Sequence, residues 1–123
     1  MFGIAITGRN PLDEFKERFL NYRCSEIMSP YFDEKNYTLF CNVLVTTNEG
    51  VIRIYLRIAM LLDNMFNVQI VEGVKRLFHK NCNKGEVFDF IDHFMETAEN
   101  IASKIGIAEF VKYWEDIGAI ENL

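Results

Sequence analysis

The chain has 123 residues, half of them hydrophobic and 14% aromatic, with a formal net charge of −5. This length and apolar content predict a single folded domain, residues 1–123, and exclude a disordered chain. The most apolar stretch, Val51 to Leu62, contains two arginines and is much shorter than the ~20 residues of a membrane-spanning helix. The acidic balance speaks against a protein that binds the nucleic-acid backbone, because such proteins normally present a basic stripe.

The cysteines point to a reducing compartment. Cys24, Cys41 and Cys82 are odd in number and lack the regular spacing of a disulfide framework. Reduced thiols, packed as small apolar side chains, are therefore the expected state. Since the start at Met1 also lacks the basic leader and long apolar core of a signal peptide, we expect a cytoplasmic protein.

The first part of the chain predicts helices. Asn10-Pro11 is typical of a helix start, because a proline at the first helical position sacrifices no hydrogen bond. The first helix is therefore expected to run from Pro11 to Met28. A second helix is expected to begin near Asp33 and to carry four side chains inward: Tyr37, Phe40, Cys41 and Leu44.

The segment 39–58 supports two interpretations. Its β-branched residues alternate with polar ones, as in a hairpin with a turn at 48–50. Against this, Thr46-x-x-Glu49 has the form of a helix capping box, and two arginines further on stand four residues apart, as on one face of a helix. The apolar run also continues without turn residues. We therefore predict a buried helix over about 47–64 and keep the hairpin, with an α+β fold, as the alternative.

The second half predicts further helices. One covers about Val68 to Lys80 and is followed by a loop at 81–85. In the next helix, apolar side chains repeat at spacings of four and three and form one continuous seam. The seam consists of Val87, Ile91, Phe94, Ala98, Ile101 and Ile105. Gly106 ends this helix, and a last helix over Ile107 to Ile117 buries Trp114. The predicted fold class is all-α, a compact bundle of about six helices.

Negative charge is concentrated in the last third of the chain. Residues 86–123 hold nine acidic and two basic side chains, a charge of −7, whereas residues 1–85 hold nine acidic and eleven basic ones, a charge of +2. On a helix of 100° per residue, four acids share the face opposite the apolar seam: Asp89, Asp92, Glu96 and Glu99. Such a face is either an ordinary solvated surface or a docking surface for a basic partner.

A second acidic pair stands beside the only tryptophan. Glu115 and Asp116 follow Tyr113 and Trp114, a composition typical of an interface anchor with a charged rim, although Trp114 could equally be a core residue with exposed neighbours. The predicted partner-binding residues are therefore the acids of both groups: Asp89, Asp92, Glu96, Glu99, Glu115 and Asp116.

Catalytic and metal-binding signatures are missing from the sequence. His79-x-x-Cys82 offers two zinc ligands, but a structural zinc site needs about four, and the chain has few others. Asp92 and His93 cannot pair with each other, because adjacent helical residues point about 100° apart. No nucleophile elbow, phosphate loop or metalloprotease motif occurs. We therefore predict no catalytic residues, no metal, no cofactor and no enzymatic activity.

A basic cluster precedes the acidic helix. Its members are Lys75, Arg76, Lys80 and Lys84. They could bind the backbone of a nucleic acid, or they could lie beside the acidic face and balance it within the fold.

The small acidic chain without catalytic motifs, its Met1-Phe-Gly-Ile4 opening and its clustered acidic face together resemble the immunity proteins of bacterial contact-dependent growth inhibition, a polymorphic-toxin system. The resemblance covers the chain as a whole. It implies a cytoplasmic inhibitor that binds one cognate toxin domain, often a basic RNase or DNase, with the acidic helix in the place of the substrate. Two alternatives remain: a viral or phage helical protein that blocks a host factor, and a small regulatory module that binds nucleic acid through the basic cluster.

Overall fold

The computed structural model describes residues 10–22, 26–33 and 37–121, which form three α-helices and one five-stranded sheet. In chain order the elements are α1 (Pro11–Leu20), β1 (Glu26–Asp33), β2 (Thr38–Thr47), β3 (Gly50–Met60), β4 (Met65–Glu72), β5 (Lys75–Asn83), α2 (Lys84–Asn100), a 3₁₀ turn (Ala102–Lys104) and α3 (Ile107–Glu121). The strands are antiparallel, and each pairs with the next along the chain, so the sheet is a meander in the order β1 to β5.

Strict alternation of burial explains the sheet. In β3 the even-numbered side chains are buried and the odd-numbered ones between them are exposed, among them Arg53, Tyr55 and Arg57. This is the period of two that a half-buried strand requires. Inward-facing side chains of β2 to β5 form the core together with the apolar sides of the helices. The opposite face of these four strands carries mainly half-buried and exposed residues, so the fold has two layers with one open sheet face.

The prediction of an all-α bundle of about six helices is wrong, and the fold is α+β, with the hairpin alternative at 39–58 realised as β2 and β3. The predicted helix over 47–64 is mostly β3, and the one over Val68 to Lys80 consists of β4 and the first part of β5. The cause is that residues four apart share a face in both a helix and a strand. The spacing of the two arginines in β3 therefore could not distinguish a helix from a strand.

Three further predictions are also corrected. The first helix ends at Leu20 and not at Met28, which lies in β1. The second helix, predicted from Asp33, is the strand β2. The predicted loop at 81–85 is the end of β5 followed directly by α2. Cys24 and the Met1-Phe-Gly-Ile4 opening lie outside the described residues.

The predicted start of α1 is confirmed, and α2 begins with a capping box that was not predicted from the sequence. The Asn10 side chain accepts a hydrogen bond from the Leu12 amide at 2.9 Å and begins α1. At the start of α2, Asn83 and Glu86 form a capping box, with the side chain of each bonded to the backbone N–H of the other. The apolar seam of α2 is buried as predicted as far as Ala98, but the helix ends at Asn100, and Ile101 is 39% exposed.

Glu49 caps a helix, but not the one that the sequence suggested. It lies in the turn between β2 and β3, and its Oε1 accepts a hydrogen bond from the Ile107 amide at the start of α3, at 2.7 Å. The neighbouring Asn48 amide donates to the Ile105 carbonyl at 2.9 Å. A Cβ atom at Gly106 would overlap the Glu49 carboxylate, so a larger residue there would displace this side chain from the Ile107 amide. The hairpin turn is thereby fastened to the junction of α2 and α3.

Aromatic side chains join α1 to the rest of the molecule. The ring of Phe15 is fully buried and meets Phe66 of β4 and Phe88 of α2 edge-on, at centroid distances of 5.1 and 5.0 Å. The guanidinium of Arg18 lies 4.7 Å from the centroid of Phe88. These contacts hold α1 against α2, the helix that carries the acidic face.

Candidate partner-binding surface

Asp92 is a structural residue of the helix layer. Its carboxylate accepts a hydrogen bond from Arg18 Nη1 at 2.6 Å and another from the hydroxyl of Tyr22, also at 2.6 Å. Burial of Tyr22 and its hydrogen bond to Asp92 raise the pKa of the Tyr22 hydroxyl, and the nearby charge of Glu96 acts in the same direction. The predicted binding residue Asp92 therefore joins α2 to α1 and to Tyr22, which follows α1. The charge of Asp92 is already compensated by Arg18.

Replacing Asp92 by asparagine is expected to lower the free energy of unfolding by about 1 to 2 kcal/mol, because it removes the charge from two hydrogen bonds of a partly exposed carboxylate. Urea denaturation measures this change. The matched control is Asp89→Asn, an exposed acid on the same helix, which is expected to shift stability by less than about 0.5 kcal/mol. Equal losses in the two variants would contradict the structural role of Asp92.

The second predicted acidic pair is also engaged within the molecule. Glu115 lies 2.8 Å from Lys75 Nζ, and this ion pair links α3 to β5. Asp116 accepts a hydrogen bond from Lys112 at 2.8 Å, one helical turn earlier, and raises the pKa of that lysine. Trp114, which directly precedes the two acids, is only 1% exposed and belongs to the core. This group therefore consists of one core tryptophan and two acids that are paired within the molecule.

The remaining three predicted residues form a free acidic surface. Asp89, Glu96 and Glu99 project from α2; the first two are exposed and Glu99 is half-buried. Within the part of the chain that the structure describes, none of the three has an ion-pair partner. We call these residues the acidic surface. It presents three like charges on one rigid helix, and the structure brings them together as the sequence predicted.

Three residues of the basic cluster balance acids within the fold. Lys75 pairs with Glu115, Lys84 pairs with Glu14 at 2.8 Å, and Lys80 lies 3.7 Å from Glu86. The cluster therefore compensates acids of all three helices, but among the described residues it forms no ion pair with the predicted acidic face of Asp89, Asp92, Glu96 and Glu99. Because these lysines are already paired, the cluster gives little support to a nucleic-acid site.

The residue pairs that might have formed a metal or catalytic site point apart. In β5, Cys82 is buried and His79 lies on the open sheet face opposite Gln69. His93 Nε2 lies 2.8 Å from the Tyr113 hydroxyl, away from the carboxylate of Asp92. Among residues 10–22, 26–33 and 37–121, no group of three or more potential ligands could hold a metal ion.

The two described cysteines are structural. Cys41 and Cys82 are buried thiols that belong to the core. Burial raises the pKa of the Cys41 thiol to about 12, so the thiol form dominates at neutral pH and the residue is a poor nucleophile.

A pocket that the sequence did not predict lies next to the acidic surface. It encloses about 210 Å³ between β5, α2 and α3, and Asp89 belongs to its lining. Phe78, Phe90 and Trp114 contribute three aromatic rings to its wall. Because the lining comes from three separate elements, its residues share no sequence spacing that could have revealed it.

The two layers of the molecule differ in charge. The three α-helices hold twelve acidic and four basic residues, a formal charge of −8. The five strands hold five basic and three acidic residues, a charge of +2, and all five basic residues lie in β2 to β5. On the open face of these four strands, Arg53 and Arg57 flank Tyr55, and the guanidinium of Arg57 lies 5.2 Å from the centroid of Phe40.

Comparison of the chain with protein-family models, with curated proteins and with solved structures gives no match. In the described part of the chain, none of the helices combines the length and the apolar character needed to cross a membrane. A function is therefore inferred from the geometry and charge of the acidic surface itself.

Proposed function

We propose that the protein is a stoichiometric inhibitor, of the immunity-protein kind, that neutralises a basic toxin domain by binding it through the acidic surface of α2. The observation that carries the proposal is that Asp89, Glu96 and Glu99 of α2 have no ion pair in the described structure, whereas the other two acids of this helix, Glu86 and Asp92, are paired. A nuclease cleft is basic because it binds a polyanion, so three carboxylates on a rigid helix complement it.

The physical basis is repulsion that a partner can relieve. Like charges three or four residues apart destabilise a helix by a few tenths of a kcal/mol per pair. Glu96 and Glu99 are such a pair, and they lie beyond the first turn of α2, where the helix dipole no longer favours acids. Positive charges of a bound partner offset this repulsion. The negative field of the glutamates also accelerates the encounter with a basic partner.

The direct test is to co-purify the protein with the toxin domain encoded next to it and to measure the association rate. Glu96→Lys/Glu99→Lys is expected to slow association about 10- to 100-fold at low salt, because steering by the acidic surface is reversed. High salt should narrow the difference between this variant and the natural protein, since exposed charges are screened.

The matched control is Glu109→Lys/Asp116→Lys. It changes the net charge by the same amount at two exposed positions of α3. Its association rate should stay within a few-fold of that of the natural protein. If the two double variants slow association equally, net charge and not the acidic surface governs binding, and the proposed interface is refuted.

A further inference from the structure

The pocket beside the acidic surface has the lining of a site for a cation. Its wall contains the rings of Phe78, Phe90 and Trp114, and two carboxylates, Glu86 and Asp89, lie at its edge. Aromatic rings attract cations through their quadrupole, and a carboxylate supplies a charged hydrogen-bond acceptor. The combination is more specific than an acidic patch, because it offers a concave space together with rings and charge.

The charges around the pocket leave one carboxylate available. Glu86 uses Oε1 to accept from the Asn83 amide, and its Oε2 lies 3.7 Å from Lys80 Nζ. Lys80, which also lines the pocket, is thus opposed by Glu86. Asp89 is exposed and has no ion pair among the residues that the structure describes. One negative charge therefore remains at the edge of an aromatic pocket.

Trp114 adds an independent sign that the packing here is incomplete. The residue is 1% exposed, and its indole N–H has no hydrogen-bond acceptor in the described part of the chain. Buried donors normally have a partner, so an orphan at a pocket wall is unusual.

We propose that this pocket receives one arginine side chain of the basic partner, which anchors the complex. Arginine fits better than lysine, because its planar guanidinium can donate two hydrogen bonds to a carboxylate such as Asp89. The inference depends on the proposed function for the identity of the partner. Asp89 belongs both to the pocket and to the acidic surface, so the anchor would sit at one end of the surface. Aromatic pockets filled by arginine are typical of binding hot spots.

The pocket can be tested without the partner, using N-acetyl-arginine N-methylamide as the probe. Trp114 is the only tryptophan of the chain, so its fluorescence reports on the pocket alone. We expect a saturable change in Trp114 emission, with a dissociation constant on the order of millimolar, as is reasonable for so small a ligand. The matched control probe is N-acetyl-citrulline N-methylamide, which has nearly the same shape without the charge and should bind at least about tenfold more weakly.

Two variants connect the signal to the proposed residue. Asp89→Asn should weaken binding of the arginine probe about tenfold, whereas Glu109→Gln, at an exposed acid of α3 outside both the pocket and the acidic surface, should leave it unchanged. Equal binding of the two probes, or an unaffected Asp89→Asn, would overturn the assignment, as would the lack of a saturable signal. The α2 charge-reversal experiment is independent of these outcomes, so a failure of the pocket and a failure of the interface can be told apart.

Discussion

Replacing Phe15 by alanine is expected to lower the free energy of unfolding by about 3 to 5 kcal/mol, the range for removing a buried phenylalanine ring. The ring is fully buried and touches aromatic rings of both β4 and α2, so its loss opens a cavity at the point where three elements meet. Since a small domain has a total stability of only about 5 to 15 kcal/mol, a large part would be lost. Chemical denaturation followed by circular dichroism measures the change.

Leu20→Ala is the matched control in the same helix. Leu20 is 57% exposed, so its truncation is expected to change stability by less than about 0.5 kcal/mol. A loss at position 15 as small as that at position 20 would show that α1 does not pack between the sheet and α2.

Replacing Gly118 by leucine is expected to destabilise the protein by about 3 kcal/mol, at the upper end of what overpacking a core produces. Gly118 lies inside α3, where the helix approaches β5 so closely that a Cβ atom would stand 3.2 Å from the Leu77 carbonyl oxygen. The neighbour is backbone and cannot rotate away, so a branched side chain must push α3 off the sheet. Thermal and urea unfolding both report the loss.

The adjacent Ala119→Leu serves as the control, because that position is exposed on the same helix. Leucine and alanine have similar helix propensity, so stability should change by only a few tenths of a kcal/mol. If leucine is tolerated equally at 118 and 119, the close approach of α3 to β5 is incorrect.

The parts of the fold that the sequence predicted are those governed by near neighbours. Asn10 begins α1 through a hydrogen bond to the amide two positions later, and the seam of α2 repeats along a single element. The strands were missed because a spacing of four fits both periods and because strand pairing is a long-range property. Glu49 shows the same limit, since the helix that it caps begins 58 residues later.

The acidic surface was predictable in part for the same reason. Helical periodicity correctly placed Asp89, Glu96 and Glu99 on one face, because that depends on α2 alone. Whether an acid on that face is free to bind a partner depends on contacts from the rest of the molecule. Asp92 is engaged by Arg18, which is 74 residues away, and this contact has no local signal in the sequence. The aromatic pocket, assembled from three elements, could not be read from spacing at all.

The separation of charge between the two layers gives the molecule an electric dipole. The helices carry a formal charge of −8 and the five strands carry +2, so the negative end of this dipole lies on the side of the helices. In the field of a positively charged body the molecule experiences a torque that turns the helices forward before contact is made. An approaching protein would thus be presented with the same side in most encounters, which shortens the rotational search for a productive orientation.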